Sequence, residues 1–466
     1  MRRDGLTSLA AGAFEAPAQT AGRSIVLLAM CLGIMIAQVD TSVINLAVQP
    51  IGTTFQASVA SLQWVIDSYN FVYAVLLLSG GLIADLYGRR LGFMLGAAVM
   101  TVASLACAFA PGIGVLIAGR AVAGVGAALL LPSSLAIIRV VWPEPAERGR
   151  VLGIWASCNG LAFVVGPSLG GLLIERFGWS SVFFLVVPLG AAAFALGGIA
   201  VAESADPHDR HFDLRGQLLG ALTLGGIAFA AIAGREGGTA WAYGLGLSAI
   251  ALPLFLLVEH RTGRGALVPL DMFRNPAFAG ATMATGAMTF GIYGLIFLLP
   301  MSWQSSGLMG AAQAGLALMP AALVFFFVSP RSGHLSQRLG ACTLGAGGLA
   351  LAGCGLLVLS ATHAGSPLMV AEAGLVLAGL GMGLCTGPLL AIAVGAVDVA
   401  RSGTAAALIN VARMTGATLG VALLGTFFAL LHDSSAGFRA AMLTGGIVQL
   451  CGAGIAWATI RKSKPT

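Results

Sequence analysis

Two carboxylates, Asp40 and Asp67, stand inside long apolar segments of a chain in which only 9% of the residues are charged. A carboxylate in lipid is costly and is rarely kept there without a function. Arg120 lies at a comparable depth in a later apolar segment. Carboxylates at such positions can take up and release protons or bind a cation, and an arginine can pair with them. This chemistry points to ion-coupled transport.

The composition predicts the elements that must position these side chains. Hydrophobic residues make up 58% of the chain, and the mean hydropathy of +0.93 lies outside the range of soluble proteins. The apolar stretches have the length of a bilayer-spanning helix, and the 66 glycines suit close packing of such helices. We therefore expect an all-α polytopic membrane protein embedded in a lipid bilayer, with no nucleic acid partner.

Fourteen transmembrane helices are predicted from the apolar segments. Their approximate bounds are 24–48, 63–86, 91–111, 113–138, 151–174, 181–202, 216–234, 242–258, 278–300, 311–330, 341–361, 366–396, 403–429 and 437–460. The segment 311–330 is the weakest of these predictions, because Pro320 and Pro330 interrupt it.

The distribution of lysine and arginine predicts the orientation. With a cytoplasmic N-terminus, most of the 24 basic residues face the cytoplasm, and only Arg176, Arg235 and Arg439 fall outside. Both termini are then cytoplasmic in a bacterial-type inner membrane. The first apolar run is expected to be a retained helix, because no cleavage site of the A-x-A type follows it.

A weak internal sequence repeat indicates a duplicated helix bundle. The segment from Gly81 to Arg90 and the segment from Gly333 to Gly340 both follow a predicted helix with glycines seven residues apart. Their separation exceeds a six-helix unit by about two helices. The predicted organisation is two six-helix bundles with two inserted helices, divided as 1–23 (tail), 24–202 (first bundle), 203–277 (linker with the inserted helices), 278–460 (second bundle) and 461–466 (tail).

The first copy of this repeat contains the strongest motif in the chain, formed by Gly81, Asp85, Gly88, Arg89 and Arg90. It resembles the hairpin signature of the major facilitator superfamily, and nearly the whole chain is similar to the fourteen-helix drug:proton antiporter branch. The resemblance implies the major facilitator fold and a conformational switch at this hairpin. A simple basic turn with a local ion pair is the alternative.

A second motif lies in the fifth predicted helix. It resembles the sequence that separates exporters from importers in this superfamily, and its residues are Gly153, Gly166, Pro167, Gly170 and Gly171. Ala162 stands where that pattern expects a further glycine. The proline and the glycines are expected to form a hinge or a seal.

The resemblance also implies roles for the three buried charges. Arg120 is similar to the arginine of this family's fourth helix and needs an anionic partner, while Asp40 and Asp67 are expected to couple protons to substrate in the outer half of a shared cavity. The alternatives are an arginine–backbone contact, a local hydrogen bond of Asp40 with Thr41, Ser42 or Asn45, and an interfacial Asp67 wetted from outside. Further side chains are possible pathway residues, with lipid contact or core packing as the alternative for the aromatic ones: Asn45, Trp64, Tyr69, Trp155, Tyr293 and Arg413.

The function that this resemblance implies is proton-coupled efflux of amphipathic, cationic drugs by alternating access. The energy source is expected to be the proton gradient, since the chain has no phosphate-binding loop that would serve an ATP-driven pump. No cofactor or enzymatic activity is expected, and no metal site, because all 6 histidines fall outside the predicted helices. The sequence does not indicate a periplasmic adaptor. An exporter of one metabolite, an uncoupled uniporter, and a non-transporting sensor or membrane enzyme stay open as alternatives. Substrate identity, proton stoichiometry, oligomeric state and the role of the inserted helices do not follow from the sequence.

Overall fold

The computed structural model describes residues 20–205, 213–233, 239–262, 268–362, 366–397, 401–431 and 434–461. The predicted tails, 1–23 and 461–466, therefore lie mostly outside the described residues, as do parts of the predicted linker.

The described residues form fifteen α-helices and a short 3-10 helix at Leu270–Arg274. The α-helices are α1 (Thr20–Phe55), α2 (Val59–Tyr87), α3 (Arg89–Ala108), α4 (Ile113–Val141), α5 (Pro145–Phe177), α6 (Ser181–Ala200), α7 (Leu214–Ala233), α8 (Ala240–Thr262), α9 (Pro276–Ser305), α10 (Ala311–Ala317), α11 (Met319–Leu339), α12 (Ala341–Ser360), α13 (Leu368–Gly395), α14 (Ser402–Leu430) and α15 (Ser434–Ile460).

Among the described residues 14 spans are long and apolar enough to cross a membrane, which confirms the predicted number. The tenth span consists of α10 and α11, joined at Leu318 just before Pro320. A proline lacks the backbone N–H that would continue the helix and clashes with the preceding turn, which explains the interruption. In contrast, α1 continues through Pro50 and ends later than predicted.

The helices group into two lobes. In the first lobe, α4 packs against α2 and α3, and α6 packs against α1 and α3. In the second lobe, α12 packs against α13 and α15, and α9 packs against α14 and α15. The lobes meet along two seams, where α2 lies against α14 and α5 lies against α10 and α11.

The inserted pair, α7 and α8, packs outside the first of these seams. Gln217 of α7 donates a hydrogen bond to the carbonyl of Val75 and accepts one from Ser79, both on α2. Near the other end of α7, the hydroxyl of Thr426 on α14 donates to the carbonyl of Ala231 at 2.7 Å. The inserted helices are therefore attached to both lobes through α7.

The two ends of the bundle differ. The end where α1 begins and α15 finishes carries arginines that include Arg89, Arg139, Arg148 and Arg331, and we call it the basic end. The opposite end, the far end, is closed: the side-chain amide nitrogen of Gln304 on α9 lies 3.3 Å from the carbonyl oxygen of Leu46 on α1. Among the described residues, the lining of the space between the lobes reaches arginines of the basic end and no residue at the far ends of the helices.

Candidate transport site

Arg120 and Asp40 form an ion pair in the interior of the first lobe. The Arg120 Nη1 atom lies 2.5 Å from Asp40 Oδ2, and both side chains are 1% exposed. Arg120 also donates from Nε to the carbonyl of Val65 at 3.1 Å, and its guanidinium lies 4.6 Å from the centroid of the Tyr69 ring. A charge-assisted hydrogen bond, a backbone contact and an aromatic face together hold the guanidinium in place.

The polar neighbours of Asp40 on α1 bond elsewhere. Thr41 donates to the carbonyl of Ala37 at 2.7 Å, and Asn45 donates to the carbonyl of Thr41 at 2.8 Å. Ser42 donates to backbone carbonyls of α1 and α5. The local hydrogen bond considered as an alternative for Asp40 is therefore not made, and Arg120 is its partner.

Asp67 lies in a different environment: it follows Gln63, which bonds to α14, by one helical turn, and this spacing assigns it to the face of α2 that meets α14. The side chain is 0% exposed, and neither carboxylate oxygen has a hydrogen-bond partner among the described residues. The alternative of a water-exposed, interfacial Asp67 is wrong for this conformation. An ionised carboxylate without a partner is strongly disfavoured in such a site.

Gln63 defines the register of this seam. Its side-chain amide donates to the carbonyls of Val421 and Ala422 at 3.1 and 2.8 Å. Because α2 and α14 run antiparallel, this register places Asp67 one helical turn further along, level with Thr418. The hydroxyl of Thr418 is also buried and without a partner in the described chain.

The central cavity between the lobes has a volume of about 1440 Å³. Arg139, Arg148 and Arg150 line its mouth at the basic end, and Arg413 and Trp155 line it further in. Asp40, Asp67 and Arg120 are not among its lining residues. Among the described residues, the three charges therefore do not share the central cavity in this conformation, and each side chain is at most 1% exposed.

The seams explain why the far half is closed. On α5, a Cβ atom added at Gly171 would lie 2.6 Å from the carbonyl oxygen of Ala311 on α10. On α10, a Cβ added at Gly315 would come close enough to the carbonyl of Pro167 to collide with it. Only glycine permits backbones to approach this closely. The other motif glycines differ: Gly166 and Gly170 pack on α1 within the lobe, and Gly153 lines the cavity.

The hairpin between α2 and α3 contains an ion pair and a capped helix. Arg89 Nε lies 2.9 Å from Asp85 Oδ1, and Arg90 Nη2 donates to the carbonyl of Gly198 at 2.6 Å. The carboxylate of Glu203 accepts from the backbone N–H groups of Arg90 and Leu91 at 3.0 and 3.1 Å. This carboxylate caps the positive end of α3 and joins the hairpin to the segment after α6.

Gly81 and Gly88 occupy distinct positions in this hairpin. Gly88 has φ of 127°, which disfavours any residue with a side chain, and a Cβ there would lie 2.6 Å from the Glu203 carboxyl carbon. A Cβ at Gly81 would lie 3.3 Å from Pro132 of α4. The motif therefore combines a turn that requires glycine with a close contact between helices.

The pathway candidates are dispersed in the structure. Trp155 and Arg413 line the cavity, while Tyr69 lies under Arg120 in the first lobe. Trp64 packs near Ile232 of the inserted helix α7. The hydroxyl of Tyr293 is buried without a partner among the described residues.

Sequence reasoning did not select Gln63, Asn70, Thr418 or Glu203. Gln63, Asp67 and Asn70 repeat at intervals of four and three residues, the spacing of one helix face, and this signal was available in the sequence. Asn70 is 0% exposed, and neither its oxygen nor its nitrogen has a partner among the described residues. The proximity of Glu203 to the hairpin depends on a contact across more than a hundred residues and gives no local signal.

A polytopic two-lobe bundle with a central cavity open at one end and a buried ion pair inside one lobe is the architecture of a secondary transporter. The family model of the Major Facilitator Superfamily matches residues 30–421, and the chain belongs to this family.

Several curated proteins are similar over most of the chain. The Multidrug resistance protein Stp of Mycobacterium tuberculosis is 34% identical over 87% of this chain and 76% of its own length. The Methylenomycin A resistance protein of Streptomyces coelicolor is 31% identical over 93% and 92% of the two chains. The Drug efflux pump JefA of Mycobacterium tuberculosis is 30% identical over 88% and 81%.

Proposed function

We propose that this protein exports amphipathic small molecules in exchange for protons by alternating access of the central cavity to the two membrane faces. The observation that carries this proposal is the cavity between the lobes, which reaches the basic end and not the far end, in a bundle that also buries Asp40 and Asp67. The drug-resistance and efflux names of the relatives support small molecules as the cargo.

The direction follows from the sidedness of the charges. Cytoplasmic loops carry the excess of arginine and lysine, so the basic end faces the cytoplasm of a bacterial-type inner membrane and both termini lie on that side. The cavity is then open to the side from which an exporter loads its cargo. Separation of the far-end seams, with closure at the basic end, would release the cargo outside.

Asp67 is proposed to carry the transported proton in this conformation. A neutral carboxylic acid can be buried in the α2–α14 seam at a cost of a few kcal/mol, whereas an unpaired carboxylate costs considerably more. The arginines of two neighbouring helices have other hydrogen-bond partners: Arg120 of α4 pairs with Asp40, and the Nη1 atom of Arg413 on α14 bonds to Asn410 at 3.3 Å. When the seam opens, water reaches Asp67 from the far side and the proton exchanges there.

Transport into everted membrane vesicles tests this function. With an acidic lumen, we expect the wild type to accumulate at least one of two xanthene dyes, fluorescein and rhodamine 123, above the level of vesicles without the protein. A proton ionophore should abolish the accumulation. Absence of any protein-dependent, gradient-driven accumulation of either dye would contradict proton-coupled export.

The role of Asp67 has its own variants. Asp67→Asn should lose uphill accumulation and keep dye exchange down a concentration gradient, because the amide imitates the neutral acid but cannot release a proton. Glu175→Gln, an acid-to-amide change at an exposed position of α5, should keep both activities. Uphill accumulation by Asp67→Asn at the wild-type level would contradict the proton assignment, and downhill movement alone in the wild type would favour a uniporter.

A further inference from the structure

The cavity wall has a charge opposite to the one expected for a carrier of cationic drugs. Among the described residues that line it, the fully charged side chains are Arg139, Arg148, Arg150 and Arg413, and none is an aspartate or glutamate. The expectation of cationic cargo rested on Asp40 and Asp67. Asp40 is already neutralised by Arg120, and Asp67 is closed off in the α2–α14 seam.

Arg413 shows that the positive charge of the cavity wall is not confined to the basic loops at the membrane surface. The three arginines at the mouth follow the general excess of positive charge at that end, but Arg413 lies in the interior of α14. Its Nη1 atom is 3.3 Å from the side-chain oxygen of Asn410, a neutral group. Its Nε atom is buried and has no partner among the described residues. A guanidinium at membrane depth with a neutral partner and a free donor lacks the anion that would normally accompany it.

Besides the Nε atom of Arg413, the indole nitrogen of Trp155 is a hydrogen-bond donor without a partner in the described chain. Of the lining residues, only Trp155 and Arg413 carry a buried side-chain nitrogen or oxygen without a partner in the described chain. The indole N–H and the guanidinium N–H donate hydrogen bonds and accept none. A buried donor without an acceptor costs about 1–3 kcal/mol, and a ligand oxygen removes that cost once the side chain turns its N–H toward the cavity.

The deep part of the cavity is suited to an aromatic or aliphatic body. The rings of Phe163 on α5 and Phe325 on α11, one from each lobe, pack edge to face with centroids 5.8 Å apart. Both rings line the central cavity, and both also line a smaller, mostly apolar pocket behind it. Apolar walls with a few convergent polar groups are typical of sites for small molecules.

We propose that the central cavity binds amphipathic anions, with the ligand's carboxylate, sulfonate or phenolate on Arg413 and Trp155 and its apolar body against Phe163 and Phe325. This inference rests on the proposed function and names the class of its cargo. The arginines at the mouth raise the local concentration of anions and disfavour cations at the entrance.

Binding of two dyes with one ring system and opposite charge tests the proposal. Fluorescence anisotropy with purified full-length protein in detergent micelles is expected to give tighter binding of fluorescein than of rhodamine 123, and fluorescein affinity is expected to fall with added salt. Arg413→Gln should weaken fluorescein binding about tenfold or more, since it removes a charge-assisted hydrogen bond. Arg413→Lys, which keeps the charge, should lose less.

Two further variants keep the test decisive if Arg413→Gln does not fold. Arg331→Gln, the same change at an exposed residue of α11 outside the cavity lining, should leave fluorescein binding unchanged. Arg148→Gln at the mouth should weaken it by a smaller factor than Arg413→Gln. Equal losses in Arg331→Gln and Arg148→Gln would overturn the cavity assignment.

The outcomes separate this proposal from the proposed function. Tighter binding of rhodamine 123, or binding of fluorescein unaffected by Arg413→Gln, overturns the anion site, while gradient-driven rhodamine accumulation in vesicles would leave export intact. Fluorescein binding that depends on Arg413, without movement of either dye in vesicles, supports the anion site and overturns export.

Discussion

Replacement of Asp40 by asparagine should destabilise this protein far more than the same replacement of Asp67. Asp40→Asn keeps the size of the side chain but leaves the guanidinium of Arg120, 1% exposed, without its counter-ion. Removing one partner of a buried ion pair costs about 3–5 kcal/mol, and 3 kcal/mol corresponds to roughly a hundredfold change in an equilibrium constant. Asp67 has no hydrogen-bond partner among the described residues, so its conversion to a neutral amide should change stability by less than about 1 kcal/mol.

The measurement is the half-life of folded protein at a fixed temperature in detergent, followed by size-exclusion chromatography. Kinetic stability is the appropriate quantity, because large membrane proteins unfold irreversibly. We expect Asp40→Asn to shorten the half-life by at least about tenfold, and Asp67→Asn to stay within about threefold of the wild type.

A double variant identifies the cause. Asp40→Asn combined with Arg120→Gln removes both charges and should recover part of the loss, since no uncompensated charge remains. If Asp67→Asn is as unstable as Asp40→Asn, Asp67 is not a neutral, unpaired acid. If the double variant is as unstable as the sum of the two single variants, the ion pair is not the source of the effect.

Three further changes test the seams and the hairpin. Gly315→Ala introduces a methyl group against the carbonyl of Pro167, so it should open the far end and increase alkylation of cysteines engineered there, with loss of dye transport. Gln63→Leu removes two hydrogen bonds that hold α2 to α14, and the same alkylation assay should show a smaller shift in that direction. Glu203→Gln weakens the cap on the first turn of α3, next to Leu91, and should lower thermal stability by about 1 kcal/mol while dye affinity stays unchanged.

The sequence alone determined the architecture, because its signals are local. Apolar stretches of bilayer length predict spans wherever they occur, and the 14 spans among the described residues match the predicted number. The motif around Gly88 likewise predicts a tight turn, since its glycine meets a backbone requirement at φ of 127°. Helix ends were less predictable: tertiary packing carries α1 through Pro50, where local propensity predicts a stop.

Only the tertiary structure decided what the buried charges contact. Depth along a helix can be counted from the sequence, but rotation about the helix axis depends on packing against other helices. That rotation brings Asp40 into contact with Arg120, whereas it directs the side chain of Asp67 toward the seam between α2 and α14. The two acids nevertheless lie in similar apolar segments of the sequence. The same packing leaves Arg413 on the cavity wall, where none of the described lining residues is an acid. The positive charge of the cavity wall thus depends on how the helices are rotated and how the lobes are closed. No local sequence pattern predicts either of these.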